Sequence, residues 1–172
     1  MPIMTSETPQ QYTERILGNV KGEEPLGVQA ATASTLERLI DGVPVADLRR
    51  RPAPDKWSVS EILAHLADAE IVGAFRMRLI LGAPGTAIVA YDQDAWARSG
   101  HYDRRDPRQS LEQFRVVRDG NLALLRSLDA DQWQQYGLHS ERGQETIERI
   151  VRMFAGHDIN HLRQIEQILA RA

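Results

Sequence analysis

The chain has 172 residues, a formal net charge of −3 and no cysteine, with 42% hydrophobic and 26% charged residues. This length predicts one domain, residues 1–172, that is long enough to bury a core. The balanced charge lacks the concentrated basic face of a nucleic-acid-binding protein, and the absence of cysteine excludes disulfides, thiolate zinc sites and cysteine nucleophiles.

Five segments of the chain have the periodicity of amphipathic helices, with apolar residues three or four positions apart. Cap signals support two of the starts. Ser58-Val59-Ser60-Glu61 is a capping box, and Asp106-Pro107 is an N-cap followed by proline at the first helical position. The five segments are residues 9–20, 26–41, 58–81, 107–128 and 146–170.

The segments between these helices are predicted as connections. Residues 43–54 form a connection with one turn, and residues 82–106 form a long loop with a turn of helix around 94–98. Residues 129–136 are predicted as a short connector and residues 137–145 as a polar loop. No segment alternates with period two, so we predict an all-α fold. Four principal helices and a short N-terminal one indicate an antiparallel four-helix bundle.

Three histidines share the apolar faces of two distant helices. His157 and His161 are four residues apart, so their rings lie one turn apart on one face, and His65 lies on the buried side of another helix. A buried imidazole without a partner costs about 1–3 kcal/mol. One shared metal ion satisfies all three, whereas three separate core histidines are the alternative. His101 and His139 fall in predicted loops and are interpreted as polar loop residues.

Three imidazoles would leave a coordination position open, as in catalytic zinc centres, where the metal acts as a Lewis acid and activates water. Asp68 and Asp158 lie near the histidines in sequence. They are candidates for a general base or for orienting an imidazole, and solvated helix acids are the alternative. Arg76 either anchors an anionic substrate or extends into solvent. Tyr91 and Trp96 either contribute to a substrate pocket or pack over the end of the bundle.

Two motifs resemble a known family. They are PDKWSVSEILAHLADAE at residues 54–70 and GHDINH at residues 156–161. Together they resemble the DinB superfamily, in particular its YfiT-like branch of metal-dependent hydrolases, and the similarity extends over most of the chain. The resemblance implies a four-helix bundle in which His65, His157 and His161 bind a divalent metal. It further implies dimerisation and a relation to S-transferases and isomerases that use low-molecular-weight thiols such as bacillithiol or mycothiol.

Three hypotheses about function follow. The first is a metal-dependent enzyme, a hydrolase or a low-molecular-weight-thiol S-transferase, that acts on a small molecule as a homodimer. Its cofactor is one divalent transition metal, with zinc or nickel favoured over iron or manganese. The second is a non-catalytic metal- or ligand-binding stress-response protein. The third is a helical bundle whose histidines are packing residues.

The expected location is the cytoplasm. Residues 1–7 have no basic stretch followed by an apolar one, as a secretory signal would. No apolar run approaches the roughly 18–20 residues of a membrane span. We therefore expect partners to be small molecules, with neither nucleic acid nor membrane bound.

Overall fold

A computed structural model describes residues 7–171 of the chain. Residues 1–6, on which the absence of a secretory signal was predicted, lie outside this part. None of the helices within the described residues combines the length and hydropathy needed to cross a bilayer. The elements are α1 (Pro9–Asn19), α2 (Pro25–Ile40), α3 (Val45–Leu48), α4 (Val59–Gly82), β1 (Ala87–Ile88), α5 (Gln93–Ser99), α6 (Pro107–Arg126), α7 (Ala130–Gln134), β2 (Tyr136–His139), β3 (Gly143–Thr146) and α8 (Ile147–Leu169).

The predicted caps form as the sequence indicates. Ser58 Oγ accepts from the Glu61 amide, and Glu61 Oε2 accepts from the Ser58 amide at 2.8 Å, which completes the capping box of α4. Arg51 forms an ion pair with the same glutamate. Asp106 caps α6 by accepting from the Gln109 amide. Local sequence therefore determines where these two long helices begin.

Two apolar clusters occupy the two ends of the bundle. The first comprises Leu36, Ile40, Leu48, Val59, Ile62, Leu63, Leu66, Ala67, Phe114 and Ile165, and the second comprises Met77, Ile80, Ile88, Leu125, Ile147, Ile150 and Val151. The first cluster takes residues from the N-terminal parts of α4 and α6 and from the C-terminal parts of α2 and α8. The helices α4 and α6 thus run in one direction, and α2 and α8 run in the other.

The four-helix bundle with an additional N-terminal helix is confirmed. Helices α2 and α4 each pack against both α6 and α8, so α2 lies diagonally opposite α4, and α6 lies opposite α8. The neighbours α4 and α6 are parallel, and so are α2 and α8, while each pair is antiparallel to the other. A long connection between α4 and α6, residues 83–106, makes a parallel neighbour possible. Helix α1 packs on α8 outside the bundle.

A buried polar layer separates the two apolar clusters. Each principal helix contributes one member, namely Thr32 from α2, Glu70 from α4, Arg118 from α6 and Asp158 from α8. Arg118 contacts both acids, with Nη2 at 2.8 Å from Glu70 Oε2 and Nη1 at 2.6 Å from Asp158 Oδ2. Thr32 Oγ1 donates to Asp158 Oδ2 at 2.9 Å. The layer fixes the relative positions of all four helices because each contact joins two of them.

The prediction of a polar loop over residues 137–145 is wrong. Strand β2 pairs antiparallel with β3 and parallel with β1, which gives a three-stranded sheet at the end of α4. Within β2, Gly137 and His139 are buried while Tyr136 and Leu138 are exposed. Burial does alternate along β2, but the buried positions are glycine and histidine, so hydrophobicity does not alternate in the sequence.

Two further segments refine the predicted connections. Residues 94–98 lie within α5, as predicted. Residues 129–136, predicted as a connector without a helix, contain α7, which starts with a capping box in which Asp129 accepts from the Gln132 amide at 2.9 Å. A helix of five residues is too short to show a helical period in the sequence.

Gly156 is expected to tolerate no side chain. A Cβ there would lie 2.0 Å from the carbonyl oxygen of Ile16, because α1 crosses α8 at this point. We expect Gly156→Ala to lower the free energy of unfolding by about 1–3 kcal/mol through this overlap. Gly120→Ala on α6 is the matched control, since its Cβ would meet nothing within 4 Å and alanine favours a helix by about 0.5–1 kcal/mol. Urea unfolding measures both, and equal stabilities of the two variants would contradict the close contact.

Candidate metal centre

Three histidine rings converge where α4 faces α8. His65 Nε2 lies 3.0 Å from His157 Nε2, and His161 Nε2 lies 3.2 Å from the same atom. All three side chains offer nitrogens within 4.8 Å of one another. Nitrogens bound to one zinc ion at 2.0–2.1 Å in tetrahedral geometry are about 3.3–3.4 Å apart. The two distances from His157 Nε2 are therefore close to those between ligands of a single ion.

The protons on the rings support the same interpretation. Gln164 Oε1 lies 2.9 Å from His161 Nδ1, and an amide oxygen only accepts, so this nitrogen carries the proton and His161 Nε2 keeps its lone pair. His157 Nε2 has a ring nitrogen on two sides and can donate to only one. Three imidazoles alone leave a close pair of nitrogens without a hydrogen bond, whereas a cation is a partner for all three.

Burial keeps these imidazoles neutral. It lowers the pKa of His65 to about 3 and the pKa of His161 to about 4, although the Gln164 contact partly opposes the second shift. Burial, followed by the two neighbouring histidines, lowers the pKa of His157 well below its ordinary value. Neutral imidazole is the form that binds metals. The cluster is therefore ready to bind a cation at pH 7 without losing protons.

The stability of the metal-free protein is expected to fall as the pH drops below about 6.5. The unfolded chain takes up protons on its histidines there, whereas folded His65 and His161, whose pKa values are about 3 and 4, do not. With His157, whose pKa is also well below its ordinary value, they should lower the free energy of unfolding by about 3–4 kcal/mol between pH 7.0 and 5.5. Urea titrations at both values measure it. His161→Gln should lose about a third of the change, and a stability that stays constant would contradict neutral buried rings.

Asp158 belongs to the buried polar layer, so the alternative of a solvated helix acid is wrong. Both of its oxygens contact the Arg118 guanidinium, at 2.6 and 3.2 Å. Burial raises the pKa of Asp158, and Arg118 opposes this shift. The guanidinium stays positive because Asp158 and Glu70 raise its pKa despite its burial. A role for Asp158 as a base or as an orienting group stays a prediction.

Asp68 is likewise buried and paired. Its Oδ1 lies 2.8 Å from Arg105 Nη1, and its Oδ2 accepts from the Tyr102 hydroxyl at 2.8 Å. These contacts fasten the segment after α5 to α4, one turn beyond His65. The solvated alternative is wrong for Asp68 too, and its role in catalysis stays a prediction. The Trp57 ring is close to both groups, with its centroid 5.0 Å from that of His65 and 6.3 Å from that of Tyr102.

A cleft of about 350 Å³ opens beside the histidines. His65 and His157 form part of its wall, together with Arg76 and Tyr91. Arg76 is buried and donates to the carbonyl of Val89 at 2.9 Å, so the alternative that it extends into solvent is wrong. Its guanidinium lies 5.8 Å from the centre of the Tyr91 ring. Two of the predicted substrate-binding residues therefore lie in one cavity with two of the histidines.

Trp96 occupies a different place. Its ring packs against that of Tyr91 in a tilted arrangement, with 4.8 Å between centroids, and 39% of the residue is exposed. It is not among the residues that line the cleft, and its role in substrate binding stays a prediction. His101 is exposed with a φ of 50°, as a loop residue is. His139, interpreted from the sequence as another polar loop residue, is instead buried in β2 and lines the cleft, so that interpretation is wrong.

Sequence reasoning missed two residues beside the centre. Gln164 orients His161, and its position three residues further along the same helix is a signal that helical spacing offers. Arg118 pairs with Asp158, but it comes from a different helix at a distance of 40 residues in the chain. The sequence alone contains no signal for that pairing.

Comparison with known proteins gives consistent relatives. The family model of the DinB superfamily matches residues 30–165. A protein of Halalkalibacterium halodurans is 26% identical over 138 residues, which is 80% of each chain. YfiT of Bacillus subtilis is 28% identical over 116 residues, which is 67% of this chain and 65% of YfiT. Both relatives are named as candidate metal-dependent hydrolases.

The structure of YfiT shows the same fold. It aligns with a TM-score of 0.79 over 99% of this chain and 93% of YfiT, at 22% sequence identity, and is described as an unusual four-helix bundle topology. The pairs of parallel neighbours found here are consistent with that description. Since the family model spans most of the chain, including all three clustered histidines, this protein belongs to the DinB superfamily.

Proposed function

We propose that this protein is a metal-dependent enzyme whose single divalent transition metal is held by His65, His157 and His161. The observation that carries the proposal is the convergence of three neutral ring nitrogens, with distances of 3.0 and 3.2 Å from His157 Nε2 to the other two, beside a cleft that His65 and His157 line. The names of the relatives support metal dependence. Zinc or nickel fits three imidazoles best, and iron or manganese also accepts them.

The cleft supplies the binding site for a small substrate. Its volume of about 350 Å³ lies within the range of small-molecule sites. The side chains of Met153 and Phe154 provide apolar wall beside the histidines. A metal at this position would act as a Lewis acid and lower the pKa of a nucleophile. Water as the nucleophile gives a hydrolase, in agreement with the names of the relatives.

A second candidate is transfer of a low-molecular-weight thiol. The two acids predicted as bases, Asp68 and Asp158, both hold arginines, so neither carboxylate is free to take a proton. A thiol has a pKa near 8.5, whereas water has one of 15.7, so a thiol needs less help from a base. The pairing of both predicted bases with arginines favours a thiol nucleophile over water.

The experiment compares both reactions with one preparation. Untagged protein loaded with zinc or nickel is assayed with simple esters and amides, and separately with small thiols plus an electrophile. We expect turnover in one set and its loss in His161→Ala, with His101→Ala as the matched control. Turnover that survives in His161→Ala would reject the metal centre as the active site. Stoichiometric metal binding without turnover in either set would reject the enzyme and favour a non-catalytic metal-binding protein.

Two further expectations from the sequence stay predictions. The first is the homodimer that the family resemblance implies, and the second is the cytoplasmic location. Light scattering on the purified protein measures the first, and fractionation of cells that make the full-length protein measures the second. Neither is needed for the metal centre, because all three histidines come from one chain.

A further inference from the structure

Arg76 is a buried cation in the cleft, and no acid among the described residues forms an ion pair with it. Only 8% of the residue is exposed, and its hydrogen bond is to the carbonyl of Val89. Within residues 7–171 it forms no salt bridge, whereas Arg142, which lines the same cleft, forms a two-pronged ion pair with Glu145. Because burying an unpaired cation is costly, the Arg76 guanidinium is left with capacity for an anion.

His139 adds a buried donor to the same cleft. Its Nδ1 accepts from the backbone amides of Glu141 and Arg142, at 3.2 and 3.3 Å. A neutral ring that accepts at Nδ1 must carry its proton on Nε2. That Nε2 is shielded from water and has no hydrogen-bond partner among the described residues, and only 3% of His139 is exposed. A ligand acceptor in the cleft would remove the cost of this unpaired donor, about 1–3 kcal/mol.

Other charges in the cleft do not fill this role. Glu7 is paired with Arg15 at 2.8 Å, and Glu141 is exposed at the rim. Tyr91 lies beneath the Arg76 guanidinium, and burial raises its pKa to about 12, so its phenol stays neutral. The strand pairing of β1 with β2 sets His139 opposite Ile88, next to the carbonyl that holds Arg76. The sheet therefore places His139 opposite the residue that precedes the carbonyl acceptor of Arg76.

We propose that Arg76 and His139 bind an acid group, a carboxylate or a phosphate, of the substrate whose reacting part lies at the three histidines. As a substrate site this rests on the proposed function, but as an acid-binding site it can be measured without metal. Arg76 and His65 are eleven residues apart on α4, about 16 Å along the helix axis. The geometry thus favours a small molecule whose acid group is separate from its reacting atom.

Two variants of His139 separate its two roles. In His139→Asn the side-chain oxygen replaces Nδ1 as the acceptor for the two amides, and the Nε2 donor is lost. In His139→Gln the amide nitrogen can replace the Nε2 donor, and the acceptor for the turn is lost. If His139 donates to the ligand, binding of the acid should be weaker in His139→Asn. If His139 serves only to fold the hairpin, binding of the acid should be weaker in His139→Gln.

The test uses protein that has been treated with a chelator to remove metal and then desalted to remove the chelator. All titrations are made at constant ionic strength. Glutarate, inorganic phosphate and the neutral glutaramide are titrated by calorimetry, while NMR follows the His139 side-chain N–H. We expect saturable millimolar binding of one or both acids and none of glutaramide. Arg76→Met should weaken binding at least about tenfold and His139→Asn about threefold to tenfold. Arg108→Met, at an exposed arginine outside the cleft, should leave it unchanged.

The preference between glutarate and phosphate identifies the kind of acid group. Equal binding of glutaramide, binding by Arg76→Met within twofold of the parent, or no saturable binding of either acid would overturn the site. If circular dichroism shows that Arg76→Met does not fold, the two His139 variants test the site instead. In that case, weaker acid binding in His139→Gln than in His139→Asn would overturn the acid-binding site. Zinc titration of the same preparation is independent. Acid binding without zinc binding rejects the proposed function, and zinc binding without acid binding rejects only the acid site.

Discussion

Replacing Arg118 by methionine is expected to lower the free energy of unfolding by about 3–5 kcal/mol. The guanidinium is 1% exposed and is the shared partner of Glu70 and Asp158, which are themselves almost fully buried. Methionine fills much of the same volume but leaves two buried carboxylates without a cation, and breaking a buried pair on one side has a cost of this size. Urea unfolding in the presence and absence of metal measures the loss.

Arg115→Met is the matched control, one turn earlier on the same helix. Arg115 pairs with Glu112 and Asp119 at the surface, and pairs of this kind contribute about 0.2–1 kcal/mol. Adding Glu70→Gln and Asp158→Asn to Arg118→Met should recover part of the stability, because the variant then buries no unpaired charge. If Arg118→Met is no less stable than Arg115→Met, the polar layer does not hold the bundle together.

His161→Ala is expected to abolish stoichiometric metal binding. Two imidazoles remain, and the closest pair of ring nitrogens, on His65 and His157, cannot close the site alone. The loss should exceed the 10–100-fold that follows when a residue behind a ligand is removed. Calorimetric titration with zinc measures it, together with the rise in melting temperature that zinc should give the parent protein.

Two companion variants set the scale of that loss. Gln164→Leu removes the acceptor of His161 Nδ1 and should weaken zinc binding by about 10–100-fold without abolishing it. His101→Ala removes an exposed histidine outside the cluster and should change nothing. The affinity for zinc should therefore be highest in the parent protein and His101→Ala, lower in Gln164→Leu and lowest in His161→Ala. If zinc binds His161→Ala with unchanged stoichiometry, another set of ligands holds the metal.

The sequence was sufficient to predict the five longer helices α1, α2, α4, α6 and α8 and the convergence of the histidines, because both depend on periodicity. His157 and His161 are one turn apart on any helix, and the capping box at Ser58 sets the phase that turns His65 inward. A long helix also repeats its apolar pattern over several turns, as α8 does over 23 residues, so its period can be recognised in the sequence.

The polar layer and the acid-binding side of the cleft were not predictable in this way. The partners in the layer come from four helices, and whether Asp158 faces Arg118 or water depends on which helices are neighbours. The sequence pattern did not show that α4 and α6 are parallel neighbours. His139 lies in a strand of four residues whose inward positions are not apolar, so its burial follows from pairing with β1, a contact made 51 residues earlier in the chain.

X-ray absorption at the metal edge of untagged, metal-loaded protein tests the trihistidine centre most directly. We expect one metal per chain with three imidazole nitrogens at about 2.0–2.1 Å, and a spectrum in His101→Ala that is identical to that of the parent. A metal surrounded only by oxygen atoms, or a protein that takes up no stoichiometric metal, would contradict the centre formed by His65, His157 and His161.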